Sequence, residues 1–334
     1  MTVKVAINGF GRIGRSTMRA LYESGRTDIE IVKLNATGPI ESNAHLLKYD
    51  SVHGRFPGTV KTSGDTIDFG RGPVQVQSTR DPNELDWDGV DIVLECTGKF
   101  NSKEASAVHL ERGAKRVLLS APGKNADKTI VYGVNHDVLD ERDVVVSNAS
   151  CTTNCLAPVA KVLNDAFGLK KGFMITVHSY TGDQPTLDRM HSDLYRARAA
   201  AMSMIPTSTG AAKAVGLVLP ELEGRLDGSA VRVPTANVSM VDLKIITFDK
   251  EVTVERVNAA MKAAAEGPMA GVLLYDEEPL VSTDYVHDEH SSVFAAAQTD
   301  VMDGNLVRVM SWYDNEWGFS NRMLDTAVHM GKFL

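Results

Sequence analysis

Three glycines near the start of the chain constrain its fold more than any other feature. The run Val5-Ala6-Ile7-Asn8-Gly9-Phe10-Gly11-Arg12-Ile13-Gly14-Arg15 sets Gly9, Gly11 and Gly14 in G-x-G-x-x-G spacing, after an apolar β-branched stretch and before a helix-compatible one. In that setting the first glycine permits a tight turn, the second lets backbone approach a pyrophosphate, and the third lets helix lie against strand. The phosphates then sit at the positive helix N-terminus. Met18, Leu21 and Tyr22 give the helix an apolar stripe, and Gly25 can stop it. The spacing predicts a strand–turn–helix that holds a dinucleotide.

The acidic residue that usually takes the ribose hydroxyls about 20 residues further on is missing. Its place, at the end of the second predicted strand, reads Leu34-Asn35-Ala36-Thr37-Gly38, with Asn35 as a candidate cofactor contact. No arginine falls among residues 34 to 45 to bind a 2′-phosphate instead. Both NAD and NADP stay open as cofactors, with the lean to NAD.

At about 150 residues per domain, 334 residues correspond to about two domains. The texture changes accordingly. Up to residue 146, short apolar runs alternate with helical stretches: Val3 to Ile7, Ile29 to Leu34, Val90 to Leu94, Arg116 to Leu119, Thr129 to Tyr132 and Val144 to Val146. Strands apolar on both faces are those of a parallel sheet covered by helices, so this α/β part reads as a doubly wound, Rossmann-type sheet. After residue 150 come longer strand candidates, Phe173 to His178, Ser229 to Val233, Val238 to Phe248 and Leu306 to Trp312, between long helical segments. An α+β second domain with a mostly antiparallel sheet is expected there, which places the domains at 1–149 and 150–318.

The 35 Lys and Arg against 43 Asp and Glu leave a net charge of −8, which does not favour nucleic acid as a partner. No window approaches the roughly 18 consecutive apolar residues of a membrane span. Met1-Thr2-Val3-Lys4 leads into a strand pattern rather than a signal peptide, so an unexported protein is expected. Three cysteines, Cys96, Cys151 and Cys155, are too few and too odd for a disulfide framework, and they point to a reducing compartment.

One of those thiols has the surroundings of a nucleophile. Ser147-Asn148-Ala149-Ser150-Cys151-Thr152-Thr153-Asn154-Cys155 packs small hydroxyl residues around Cys151, just before the helix-compatible run Leu156 to Phe167. A helix N-terminus favours thiolate through its dipole and unpaired amides, and the same amides can hold an oxyanion. Cys155, one turn on, lacks C-x-x-C spacing and reads as packing, as does Cys96 in its apolar context. A thiol nucleophile wants a base. His178, at the end of the next predicted strand, is one of nine histidines that compete for the role, and sequence spacing does not choose among them. His287 and His290 with Asp284, Asp288 and Glu289 suggest a solvated loop, since no third soft ligand lies nearby, and no metal is expected.

Five blocks, N-G-F-G-R-I-G-R at 8–15, S-N-A-S-C-T-T-N-C-L-A-P at 147–158, S-T-G-A-A-K-A-V-G at 208–216, R-V-P-T-A-N-V-S at 232–239 and S-W-Y-D-N-E-W-G-F-S-N-R at 311–322, together resemble the phosphorylating glyceraldehyde-3-phosphate dehydrogenases. The likeness runs through essentially the whole chain. It implies a cytoplasmic homotetramer of glycolysis that oxidises glyceraldehyde 3-phosphate to 1,3-bisphosphoglycerate with NAD and inorganic phosphate, through a cysteine thioester. It further implies Cys151 as nucleophile and His178 as its base and later acid. Arg12 and Ile13 would meet the cofactor pyrophosphate, with Arg80, Ser120 and Asn315 further around it. Thr181 and Arg232 would hold the substrate phosphate, while Ser150, Thr152, Arg196, Thr209 and Gly210 would serve the attacking phosphate and the reacting carbonyl. Residues 191–202 would reach toward a neighbouring subunit, and the last helix, 319–334, would fold back on the first domain. The family's aspartate is Ala36 here, which opens NADP as a second cofactor. Erythrose-4-phosphate dehydrogenase, a relative with the same cysteine and histidine, is the alternative.

Overall fold

A computed structural model describes residues 2–334. The chain forms two compact units. One comprises the chain up to Tyr132, His136–Ser150 and Ser320–Leu334; the other comprises Gly133–Asn135 and Cys151–Phe319.

The first unit is built on a nine-stranded sheet. Val3–Asn8 lies between Ile29–Asn35 and Ile92–Glu95, both parallel to it, and Arg116–Leu119, Val145–Ser147 and Lys128–Thr129 continue the parallel array outward. Ile92–Glu95 and Arg116–Leu119 are buried throughout, as strands covered on both faces should be. The predicted strand Thr129 to Tyr132 shortens to Lys128–Thr129 at the sheet edge. On the other side the sheet runs on through Pro73–Gln77 and, antiparallel to it, Thr66–Asp68 and Lys61–Ser63. These outer strands are short and largely polar, so hydrophobic periodicity gave no signal for them.

The helix Arg12–Glu23 follows the first strand as the glycines require, with Met18 and Leu21 buried and Gly25 at φ +65° just past its end. Gly9 has φ +99°, which an L side chain rarely adopts. A Cβ on Gly14 would come 2.2 Å from the carbonyl oxygen of Gly9, whereas one on Gly11 would meet open space. At the far end of the chain, Arg26 reaches Asp325 at 2.7 Å and Thr326 donates to Asn148 Oδ1 at 2.8 Å. A Cβ on Gly331 would strike Val3. The chain end from Ser320 onward is thereby part of this unit.

The second unit carries a mostly antiparallel sheet in the order Ile205–Ser208, Leu226–Val233, Leu169–Ser179, Ser239–Thr247, Leu306–Tyr313, Ser292–Ala295 and Leu273–Asp276. Asp300–Met302 pairs separately with Leu306–Tyr313. Burial alternates residue by residue along Ser239–Thr247, so one face of that strand is turned inward. The helix Cys151–Phe167 packs on the central strands through a buried face that includes Cys155, Leu156, Val159 and Leu163.

The glycine turn separates two effects that sequence alone merges. Gly14→Ala forces a backbone overlap and should destabilise the first unit by about 1–3 kcal/mol, while Gly11→Ala should leave thermal unfolding within about 0.5 kcal/mol of the parent. Equal losses for the two variants in denaturant titrations would contradict the steric account.

Candidate active site

The second unit brings Cys151 and His178 together. Cys151 opens its helix, which begins more than a turn before the predicted run Leu156 to Phe167. Just ahead of it Ala149 has φ +56°, a left-handed conformation that costs a non-glycine residue energy and redirects the chain. His178 is the penultimate residue of Leu169–Ser179, and Sγ of Cys151 lies 3.6 Å from its Nε2.

Arg232 stands directly across from His178 in the neighbouring parallel strand. Its Nη1 is 2.9 Å from His178 Nδ1, donates to the Ser179 carbonyl at 2.9 Å, and donates to the Thr181 hydroxyl at 3.1 Å. His178 Nδ1 is itself 2.7 Å from that carbonyl. Arg232 Nε is buried and has no hydrogen-bond partner within the protein. Burial, followed by the charge of Arg232, pushes the His178 imidazole down to about 3, so it is neutral at ordinary pH.

The Cys151 thiol differs from the expectation of a depressed pKa at a helix start. Burial raises it, and the charge of Arg232 and the bonds from Thr152 only partly offset that. Loss of solvent outweighs the helix terminus here.

Two neighbours escaped the sequence reading. Tyr313 is buried, packs edge-on to His178 at 5.9 Å between centroids, and places its hydroxyl 2.8 Å from Thr152 Oγ1 and 2.9 Å from Thr176 Oγ1. Asp183 accepts a bond from Thr181 Oγ1 and pairs with Arg196 Nη1 at 3.1 Å. Arg196 also donates to Thr207 Oγ1 at 3.0 Å. Thr209 Oγ1 accepts the Ala211 N–H at 3.2 Å, and Gly210 is the N-cap of the helix Ala211–Val218. Asn315 is held by Ser179 Oγ at 2.8 Å and Ser239 Oγ at 3.0 Å, both donating to its carbonyl oxygen, which fixes the direction its amide nitrogen faces. Cys155 is buried with Sγ 3.4 Å from Ser292 Oγ, and burial pushes its thiol up to about 12.

The first unit has a cavity of about 350 Å³ lined by Asn8, Asn35, Thr37, Thr79, Arg80 and Thr97, among others. These residues follow the carboxyl ends of parallel strands, where open α/β sheets bind ligands. The guanidinium of Arg12 pairs with Asp50, whose carboxyl, although partly desolvated, is held far below the usual range by Arg12 and by the His53 and Val52 N–H groups. What the glycine turn offers an anion at Arg12 and Ile13 is therefore mainly main-chain N–H. Ser120 follows the strand Arg116–Leu119 and donates its N–H to the Glu95 main-chain carbonyl at 3.0 Å. Cavity, turn and helix start together fit a dinucleotide.

His287 stacks on Trp317, and His290 pairs with Asp288 at 2.9 Å. A different group, His136, Asp137 and His329, has ligand atoms within 4.8 Å of one another, but the Lys332 ammonium sits 3.3 Å from His329 Nδ1 and opposes a cation there. Among the described residues no helix is long and apolar enough to cross a membrane.

Residues 3–103 match the family model for the glyceraldehyde 3-phosphate dehydrogenase NAD binding domain, and residues 150–315 match that for the C-terminal domain. Curated relatives named glyceraldehyde-3-phosphate dehydrogenase include one from Cereibacter sphaeroides, 67% identical over 100% of both chains. Others come from Xanthobacter flavus, 66% identical over 99% of both, and from Geobacillus stearothermophilus, 57% identical over 99% of this chain and 98% of that one. These likenesses lend no support to the erythrose-4-phosphate alternative. With both family models matched in order and relatives aligned from end to end, the chain belongs to the glyceraldehyde-3-phosphate dehydrogenase family.

Proposed function

We propose that the chain is the phosphorylating, NAD-dependent enzyme of glycolysis, working in the cytoplasm. The observation that carries this reading is the 3.6 Å approach of Cys151 Sγ to His178 Nε2 beside a half-buried Arg232 whose buried Nε lacks a protein partner. Sγ attacks the aldehyde carbon of glyceraldehyde 3-phosphate, forming a carbon–sulfur bond as the carbonyl π pair moves onto oxygen and the thiol proton passes to His178 Nε2; that oxygen pair re-forms the carbonyl when the carbon loses hydride. For Nε2 to accept, the ring proton must lie on Nδ1, bonded to the Ser179 carbonyl, with the two Nη1 hydrogens of Arg232 going to that carbonyl and to the Thr181 hydroxyl rather than to Nδ1. Bound NAD supplies the acceptor for the hydride lost from that carbon. A thioester remains, and inorganic phosphate attacks it, releasing the Cys151 thiolate and 1,3-bisphosphoglycerate.

Thr181 and Arg232 would hold the substrate phosphate, and Ser150, Thr152, Arg196, Thr209 and Gly210 the attacking phosphate and reacting carbonyl. A guanidinium fork suits phosphate because its donors are fixed in one plane. Gly9, Gly11, Arg12, Ile13, Gly14, Asn35, Arg80, Ser120 and Asn315 are the residues assigned to the cofactor. NADP is a second cofactor in this reading. Ala36 is buried and lies outside the cavity lining, while Thr37, Thr79, Arg80 and Lys99 line it with hydroxyls and cations. The two cations come from later in the chain than the segment where an arginine was sought.

The segment from Leu187 to Met204 presents Leu187, Met190, Leu194, Tyr195, Met202 and Met204 to solvent, Met190 at 97% exposure. Such a patch on a monomer marks an interface, and the homotetramer implied by the family resemblance supplies a second copy of this chain to cover it.

A steady-state assay with glyceraldehyde 3-phosphate should show NADH formation that depends on inorganic phosphate, with NAD preferred but NADP turnover measurable. Cys151→Ser should abolish it while NAD binding persists; activity retained in that variant, or a rate indifferent to phosphate, would refute the mechanism. In Arg232→Ala, nitrogen-15 NMR should find the His178 imidazole titrating above about 3, toward the ordinary 6.5, because a repelling charge is gone. An unmoved titration would remove Arg232 from the account. Sedimentation should give four times the monomer mass, falling in Met190→Glu/Leu194→Glu; a parent protein that sediments as a monomer would end the tetramer reading.

A further inference from the structure

The carboxylate of Glu95 is fully buried in the first unit and takes no part in the thiol chemistry. Its Oε2 accepts from Asn8 Nδ2 at 2.6 Å and lies 3.0 Å from His109 Nε2, while Oε1 accepts the Thr97 N–H at 2.8 Å and the Thr97 hydroxyl. Behind it, the buried indole of Trp87 donates to His109 Nδ1 at 3.0 Å, so the imidazole proton sits on Nε2 and points at Glu95. In front of it, the Asn35 amide nitrogen donates to Asn8 Oδ1 at 2.7 Å and to the Thr79 carbonyl at 3.1 Å, and Asn35 Oδ1 accepts the Thr79 N–H at 3.1 Å.

The direction of this chain is fixed at both ends, by the Glu95 carboxylate at Asn8 and by the donor-only Thr79 N–H at Asn35. A carboxylate only accepts, so Asn8 must turn its NH₂ inward and its oxygen toward Asn35; Asn35 must then present nitrogen to Asn8 and keep its oxygen for the Thr79 N–H. Asn8, Asn35, Thr79, Arg80 and Thr97 all line the cavity. We propose that Glu95 is a positioning residue for the dinucleotide: held by the Trp87–His109 pair, it sets the orientation of Asn8 and Asn35 and thereby the Thr79–Arg80 segment that walls the adenosine end of the site. The inference rests on the reading that this cavity holds the dinucleotide.

Glu95→Gln keeps shape but replaces one accepting oxygen with NH₂. That group faces either the Thr97 N–H or the His109 and Asn8 donors, and flipping the two asparagines to relieve it would turn the Asn35 amide nitrogen onto the Thr79 N–H. Each outcome leaves a buried donor unmatched. In the purified enzyme KM for NAD should rise about tenfold with kcat within about twofold, and calorimetric affinity for adenosine monophosphate should fall in step. Turnover with nicotinamide mononucleotide, which lacks the adenosine, should not change. If Glu95→Gln does not fold, Trp87→Phe removes the indole donor at the other end of the relay and should give a smaller shift of the same sign. An unchanged KM for NAD in the folded variant, or equal losses with NAD and the mononucleotide, would overturn the positioning role. The cavity reading fails separately, if Arg80→Ala leaves NAD and adenosine monophosphate affinity intact.

Discussion

The chemistry of the second unit depends on where one proton sits between a sulfur and a nitrogen. Burial works against charge on either group alone: it raises the Cys151 thiol and lowers the His178 imidazole. Moving the proton from Sγ to Nε2 creates two opposite charges 3.6 Å apart, whose attraction in a poorly solvated site offsets part of the desolvation each suffers. Arg232 biases that balance from both sides. Its charge favours the thiolate and disfavours the imidazolium, so the pair gains little from it as a unit, and in each partner burial remains the larger cause. With both groups shifted against charge, the resting pair is neutral.

Holding such a pair requires backbone precision that the fold supplies locally. Cys151 is fixed by a helix start entered through left-handed Ala149, and His178 by a strand whose parallel neighbour sets Arg232 directly opposite. Tyr313, buried with its hydroxyl between two threonines, ties the helix start at Thr152 to the same strand at Thr176. Regular elements therefore carry the thiol and the imidazole, while Thr181, Asp183 and Arg196 lie on the irregular segment beyond the strand.

Much of this was legible in the residues because the signals were local. The glycine turn, the strand Arg116–Leu119 and the fully buried Ile92–Glu95 follow from patterns within a few positions. The same holds for Gly25 as a helix stop. What local pattern could not reach was partnership. Nothing near Asp183 or Glu95 in sequence marks either as a hub, since their partners arrive from as far away as Asn8 and Arg196. The Arg12–Asp50 pair is similar: a basic residue in a pyrophosphate turn invites a direct ionic role, and the carboxylate that takes its guanidinium lies on a later segment. His178 shows the boundary between the two cases. Its place at a strand end was readable, its choice over eight other histidines came only with the family likeness, and its environment required Arg232 across the sheet.

The same division of labour recurs among the cations of both units. Arg12 and Arg196 each carry an internal carboxylate, Asp50 and Asp183, so that their guanidinium groups are oriented and largely compensated before any ligand arrives. A compensated arginine adds geometry to an anion site but little net attraction. Arg232 differs: its neighbours are a carbonyl, a hydroxyl and an imidazole, and its buried Nε lacks a protein partner. A half-buried guanidinium with an unpartnered Nε and no carboxylate in direct contact carries a desolvation cost that a phosphate dianion would relieve. On the proposed assignment, the substrate phosphate would meet Thr181 and an Arg232 whose charge also acts on the thiol–imidazole pair, which would link recognition of that distal charge to the state of the sulfur.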